Sequence, residues 1–245
     1  ATVSATAAQP AELLALITQL TAKPGYKLVV FFVTARLTQL FSELFEALGF
    51  SVLEMHSRKS QPHRNRVADQ FKNGTNLIMF SSDVSARGMD YPDVTAVIQL
   101  GLPSDKAQYI HRLGRTARAG KDGGGYLLLA EFEAGFLRQL ADLPVASRPP
   151  LSAAEVEAMS PPIRAAFAGL SPLTHGTAYQ AYLGFYKSHL KQLGWSREEC
   201  VARANEFAFT VLGLDSPPPI EAQTIGKMGL KGVAGLVVGS RKGGG

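Results

Sequence analysis

Two kinds of segment alternate along residues 1–148. Short apolar runs bounded by turn residues, at 28–33, 51–55, 77–81, 95–100 and 126–130, read as buried strands. Between them, residues 10–20, 37–48, 64–71, 106–113 and 132–143 carry apolar side chains three and four positions apart and read as helices. Strand and helix in alternation predict parallel βαβ units, hence an α/β fold with a doubly wound parallel sheet. Such a sheet places its chemistry on the loops beyond the carboxyl ends of its strands.

The pattern changes after Leu143. Pro144, Pro149, Pro150, Pro161 and Pro162 punctuate a stretch without a strand-like run. Residues 178–193 and 197–212 then predict two amphipathic helices, the first broken by Gly194 and the second ended by Gly213. The expected division is an α/β domain over 1–148, a helical extension over 149–228, and a loosely held tail over 229–245, rich in Gly and Lys/Arg. Tyr179, Tyr182, Phe185, Tyr186 and Trp195 recur at helical spacing, which predicts packing on the α/β domain, with a base-stacking platform as the alternative. Lys187, Lys191, Arg197 and Arg203 add a weak basic face to the same helices.

With 46% hydrophobic and 18% charged residues, the chain has enough apolar side chains for a core and too little charge for a disordered chain. The net charge of +5 suits a polyanionic partner without identifying one. A single cysteine, Cys200, excludes an internal disulfide and fits a reducing, intracellular compartment. The five histidines lack metal-ligand spacing, and no apolar run reaches the roughly 18 to 20 residues of a membrane span. No membrane association is expected. A chain that starts at Ala1 is read as processed or excised from a longer one.

Two motifs carry the chemistry. Ser82-Asp83-Val84-Ser85-Ala86-Arg87-Gly88-Met89-Asp90 follows a predicted strand, so a hydroxyl, two carboxylates, an arginine and a glycine share one strand-end loop able to touch a phosphate and a ribose together. His111-Arg112-Leu113-Gly114-Arg115-Thr116-Ala117-Arg118-Ala119-Gly120 places three arginines at spacing three. Their planar, bidentate donors suit the spread charge of a transferring phosphoryl group. A solvated, salt-bridged surface is the alternative for such a cluster taken alone.

In this order and spacing the two motifs resemble motifs V and VI of the DEAD-box helicases. Val30-Phe31-Phe32-Val33-Thr34-Ala35-Arg36 resembles their motif IV, and Gln61-Pro62-His63-Arg64 the Q-x-x-R of motif IVa. Ala86 to Pro92, Gly101-Leu102-Pro103-Ser104, Arg115-Thr116-Ala117-Arg118 and, in the extension, Tyr182 to Lys187 and Lys227 to Leu230 are similar to the Mss116-like subgroup. Ser82 stands where Thr is usual, Ala117 where Gly is commoner, Gly101 where many members have Asp, and Tyr91 where an aliphatic residue is usual.

The resemblance implies a RecA-like second domain of an ATP-dependent RNA helicase. Gly88 and Asp90 would approach the ribose of ATP, and Arg115 and Arg118 would act as arginine fingers on the γ-phosphate. His111 and Arg112 would contact the first RecA-like domain of the same parent chain. Thr34, Arg36, Gln61, Arg64, Ser82 and Arg87 would touch the RNA sugar-phosphate backbone, with little sequence preference. Arg36 reads equally as a solvated arginine, and Arg58 is given no role. Neither G-x-x-x-x-G-K-[ST] nor D-E-A-D occurs, so Mg2+ and the β-phosphate would be held by the first domain and the chain alone would be inactive. It is expected as a monomer, in an organelle by resemblance only. A stand-alone RNA-binding module is the alternative. A DNA helicase is disfavoured by His111 and the extension, and a dinucleotide-binding oxidoreductase by the absence of glycine over 34–40.

Overall fold

The computed structural model describes residues 1–83, 91–116 and 123–239. Among these, β1 (Thr2–Ser4), β2 (Lys27–Phe32), β3 (Val52–Met55), β4 (Leu77–Ser81), β5 (Ala96–Leu100) and β6 (Gly124–Ala130) form one sheet in the order β1-β6-β5-β2-β4-β3. All its pairings are parallel. Strands β2, β4 and β5 are apolar almost throughout because both faces are covered, as a parallel sheet requires. The fold is the expected RecA-like sheet with flanking helices.

Side-chain alternation sorts β2 between two cores. Leu28, Val30 and Phe32 meet α1 (Gln9–Thr21) and α2 (Ala35–Ala47), where Phe32 stacks on Phe41 with ring centroids 5.0 Å apart. Val29 and Phe31 point the other way, toward Val67 and Phe71 of α3 (Gln61–Asn73). Each helix that enters from a strand end is capped by the residue the sequence supplies there. Thr34 accepts the Leu37 N–H, Ser60 that of His63, and Asp105 that of Gln108 at the start of α4 (Lys106–Leu113). Those caps fix where the strand-end loops stop and so where their side chains stand.

The extension is a third layer on the α1/α2 side. It comprises α5 (Ala153–Gly169), α6 (Pro172–Ser188), the short α7 (Leu190–Leu193), α8 (Arg197–Thr210) and α9 (Ala222–Lys227), with α5 on α1 and α2, and α6 between α2 and α8. Tyr179, Tyr182 and Tyr186 are buried, and Tyr182 lies flat on Phe207 at 4.1 Å and 6°. The aromatic face therefore packs on the sheet domain, and a base-stacking surface is not what it forms.

The elements differ from the sequence expectations at four places. The three-residue β1 adds an edge to the sheet beside β6. Residues 131–140 wind as a 3-10 helix instead of an α-helix. The proline-punctuated stretch holds α5, which runs through Pro161 and Pro162; the carbonyls of Glu157 and Ala158 that lose donors belong to exposed residues, and Ile163 and Phe167 anchor the helix in the core. The segment 229–239, expected as loose tail, packs: Leu230 is fully buried, Asn205 donates to the Gly235 carbonyl at 2.9 Å, and β8 (Val238–Gly239) pairs with β7 (Ile220–Glu221).

Candidate functional site

Strands β2, β4 and β3 are neighbours, so the loops at their carboxyl ends lie side by side. They carry Thr34 and Arg36, then Ser82 and Asp83, then the turn 56–60 that leads to Gln61 and Arg64. The sheet thus gathers on one edge the described residues expected to touch RNA. Thr34 is half-buried, with its hydroxyl oxygen fixed by the α2 cap. Arg36 donates to Gln39 Oε1 at 2.8 Å. Partial burial and then the nearby Arg58 cation depress its pKa, and Glu43 opposes them. Gln61 is exposed and bonds Asn65 at 2.7 Å, whereas Arg64 Nε is buried without a hydrogen-bond partner. Ser82 is nearly buried, its N–H given to the Met55 carbonyl at 3.1 Å. Arg87, Gly88, Asp90 and Arg118 lie outside the described residues.

The start of motif V and the helix of motif VI are joined by an ion pair. Asp83 Oδ1 accepts from Arg112 Nε at 2.7 Å, and Oδ2 accepts from Gln108 Nε2 at 2.9 Å. Arg112 is 1% exposed and lies over the Phe31 ring at 5.4 Å. Of the two residues expected at an interdomain contact, only His111 is exposed; Arg112 faces into its own domain and organises the two motifs, with Nη1 unbonded. Beyond α4, Thr116 Oγ1 donates to the Val94 carbonyl at 2.7 Å, which holds the turn bearing Arg115 against the segment that follows Asp90. Tyr91 there is buried, with its ring edge on Phe71, and burial pushes its phenol up to about 12 against the pull of Arg115.

A residue absent from every motif, Glu133, ties the site to the extension. It is fully buried; Oε1 accepts from the Leu102 N–H at 2.9 Å and from the Tyr186 hydroxyl at 2.6 Å, and Oε2 accepts from the Ala130 N–H at 2.8 Å. Burial raises its pKa to about 7 although all three donors favour the carboxylate. Leu102 follows Gly101, which needs glycine: φ is +88° and a Cβ would stand 2.8 Å from Val33 Cγ1. The loop from Gly101 to Asp105 leads straight into α4, so Tyr186 of the extension is two hydrogen bonds from the loop that enters the helix bearing Arg112. Among the described residues no three His, Cys, Asp or Glu side chains converge as a metal would require, and no helix is long and apolar enough to cross a membrane.

Comparison with known proteins gives this arrangement a family. Residues 9–120 match the helicase conserved C-terminal domain. Over 211 residues, 86% of this chain, it is 48% identical to DEAD-box ATP-dependent RNA helicase 31 of Arabidopsis thaliana and covers 29% of that protein. It is 50% identical over 219 residues, 89% of the chain, to the mitochondrial ATP-dependent RNA helicase MSS116 of Phaeosphaeria nodorum, of which it covers 40%. The chain thus spans between about a quarter and two-fifths of the length of such relatives. The fold is shared with Mss116p DEAD-box helicase domain 2 bound to an RNA duplex, with a TM-score of 0.77, 24% identity, and 98% of each chain covered. The likeness spans the extension as well as the sheet, whereas the C-terminal domain of the DEAD-box protein Dbp5 covers 64% of this chain, with a TM-score of 0.52 and 24% identity. The chain belongs to the DEAD-box helicases, in which it is a C-terminal RecA-like domain with an Mss116-like helical extension.

Proposed function

We propose that this chain is the second half of an ATP-dependent RNA helicase motor, holding the RNA backbone on its carboxyl-end loops and presenting arginines to ATP bound between it and a first RecA-like domain. One observation carries the reading: the sheet order sets motifs IV, IVa and V side by side, with guanidinium groups of Arg36 and Arg64 that form no ion pair with a carboxylate among the described residues. Phosphates supply the missing acceptors. Thr34, Gln61, Ser82 and Arg87 complete the strand of contacts, which position RNA without reading its bases.

For ATP, the contribution of this chain is the pair of segments that Thr116 pins together. Thr116 fastens the turn bearing Arg115 to Val94, and Arg115 acts electrostatically on Tyr91, which supports a reading in which the motif VI arginines serve the same ligand as motif V. That reading fits an anionic ligand with a ribose attached: Gly88 and Asp90 approach the sugar, and Arg115 and Arg118 the γ-phosphate. The ATP supplies the phosphoryl group whose developing charge the guanidinium forks stabilise. Mg2+ and the β-phosphate fall to the first domain, since this sequence has no P-loop. His111, exposed on α4, meets that domain, and Arg112 holds α4 to motif V behind it. The mitochondrial relative makes an organelle the first compartment to examine.

The test is a titration of the chain with two unrelated single-stranded RNAs of equal length over a range of salt, together with an ATPase assay. Both RNAs bind alike, affinity falls steadily with salt, and ATP turnover stays at the buffer rate. Tight binding unchanged by salt, or RNA-stimulated turnover by this chain alone, contradicts the proposal.

A further inference from the structure

The turn between β3 and α3 carries three basic side chains, His56, Arg58 and Lys59, and one acid, Glu54 of β3, serves it. That acid is fully engaged. Glu54 Oε1 lies 2.6 Å from His56 Nε2, and Oε2 lies 2.5 Å from Lys59 Nζ. His56 is 2% exposed, and its Nδ1 accepts the Arg58 backbone N–H at 3.2 Å. With Nδ1 as acceptor, the ring proton sits on Nε2 and is donated to Glu54. The Lys59 N–H returns to the His56 carbonyl at 3.1 Å, so the backbone on either side of Arg58 is fixed by one buried imidazole residue.

The Arg58 side chain is left over. It is exposed and makes no ion pair among the described residues. It acts electrostatically on another cation, Arg36, across the carboxyl end of the sheet. Glu43, the acid near Arg36, is already occupied: Oε1 accepts from Gln39 at 2.8 Å and Oε2 from Thr174 at 2.8 Å. The two like charges repel, and an anion bound beside both offsets the repulsion.

We propose that Arg58 is a phosphate contact of the bound RNA strand, positioned by His56 and acting beside Arg36. This rests on the reading of the edge as a nucleic-acid backbone surface. The ligand is a phosphodiester, because the planar forks match its oxygens and the site offers nothing that would recognise a base. Arg58 adds a contact that motifs IV and IVa do not include, and its preset backbone lowers the ordering cost of making it.

The measurement is the salt dependence of binding of a fluorescent single-stranded RNA to this chain. Arg58→Gln lowers the slope of log affinity against log salt by about 0.7, one phosphate of a single strand, and leaves the unfolding midpoint unchanged. Arg58→Lys keeps the slope, since the charge remains. Arg164→Gln, an exposed arginine paired with Glu157 on α5, serves as the control and leaves the slope unaltered. A slope retained in Arg58→Gln while the wild type binds normally overturns the role of Arg58 alone. An equal fall in Arg164→Gln also overturns it, because the effect would then be one of net charge. Absence of any salt-dependent binding by the wild type removes the reading of the edge, and Arg58 with it.

Discussion

In the extension and where it meets the sheet domain, most polar groups that leave water find partners within the chain: Glu133 takes three donors, Thr174 donates to Glu43, and Tyr179 donates to Asn205 at 2.6 Å. The buried Nε2 atoms of His175 and Gln9 are exceptions among the described residues there. At the carboxyl end of the sheet the balance is different. Among the described residues Arg58 makes no ion pair, Arg64 Nε is buried without an acceptor, and the acids Glu54 and Glu43 are already bound. An interface completed on folding satisfies its polar groups internally, because each buried orphan costs about 1–3 kcal/mol. A surface completed only by a ligand keeps donors in reserve. The contrast separates the part of this molecule that holds the fold from the part proposed to take an anion.

The largest effect that tests this separation lies in the extension. Tyr182→Ala removes a ring stacked flat on Phe207 and packed on Tyr186 at 4.5 Å. Truncations of buried aromatics cost about 3–5 kcal/mol. Urea unfolding of the variant shows that loss, while RNA affinity at a temperature where it stays folded changes less than about twofold. A variant as stable as the wild type would make the extension a passenger, and a steep loss of RNA affinity would make the aromatic face part of the binding surface.

Next in size is a pH effect confined to the buttress. Glu133 titrates at about 7 in the fold and near the ordinary glutamate value of 4.5 when unfolded, so protonation favours the folded state. Its contribution is fully present below about 4.5 and is lost as pH rises through about 7, amounting to about 3 kcal/mol. His175, with its pKa lowered first by burial, acts in the opposite sense as pH falls. The difference between wild type and Glu133→Gln isolates the glutamate. The variant is less stable at pH 5, where its amide meets the Leu102 and Ala130 N–H groups, and the gap narrows toward pH 8. A constant gap over that range would mean that Glu133 does not titrate there.

What the sequence made legible follows the same division. Five strands were readable because a parallel sheet buried on both faces leaves uninterrupted apolar runs, such as Leu28 to Phe32. The short β1 was not, since Thr2–Ser4 becomes a strand only by pairing with β6. Helix α5 was hidden by Pro161 and Pro162, whose local cost is offset by Ile163 and Phe167 packing far away in sequence. Motifs IV, IVa, V and VI announced the ligand edge because family resemblance preserves chemistry, but the pairing of Asp83 with Arg112 depends on where two loops meet in space. Glu133 had a faint signal, a lone acid on the face shared by Phe136 and Leu140. Arg58 stood outside the recognised motifs, and only the saturation of Glu54 by its neighbours singles it out.

The most direct test of the central claim concerns an arginine that bears on chemistry and not on the fold. In a full-length protein containing this chain, Arg118→Lys replaces the planar fork that the proposed arginine-finger role requires by a point charge. Arginine fingers contribute about 10³ to 10⁵ in rate in phosphoryl transfer. Steady-state ATPase at saturating RNA therefore falls by at least about a hundredfold, while this chain carrying the same substitution keeps its unfolding midpoint and most of its RNA affinity. Turnover reduced less than tenfold, with RNA binding sharply weakened, would contradict the assignment and make Arg118 an RNA contact.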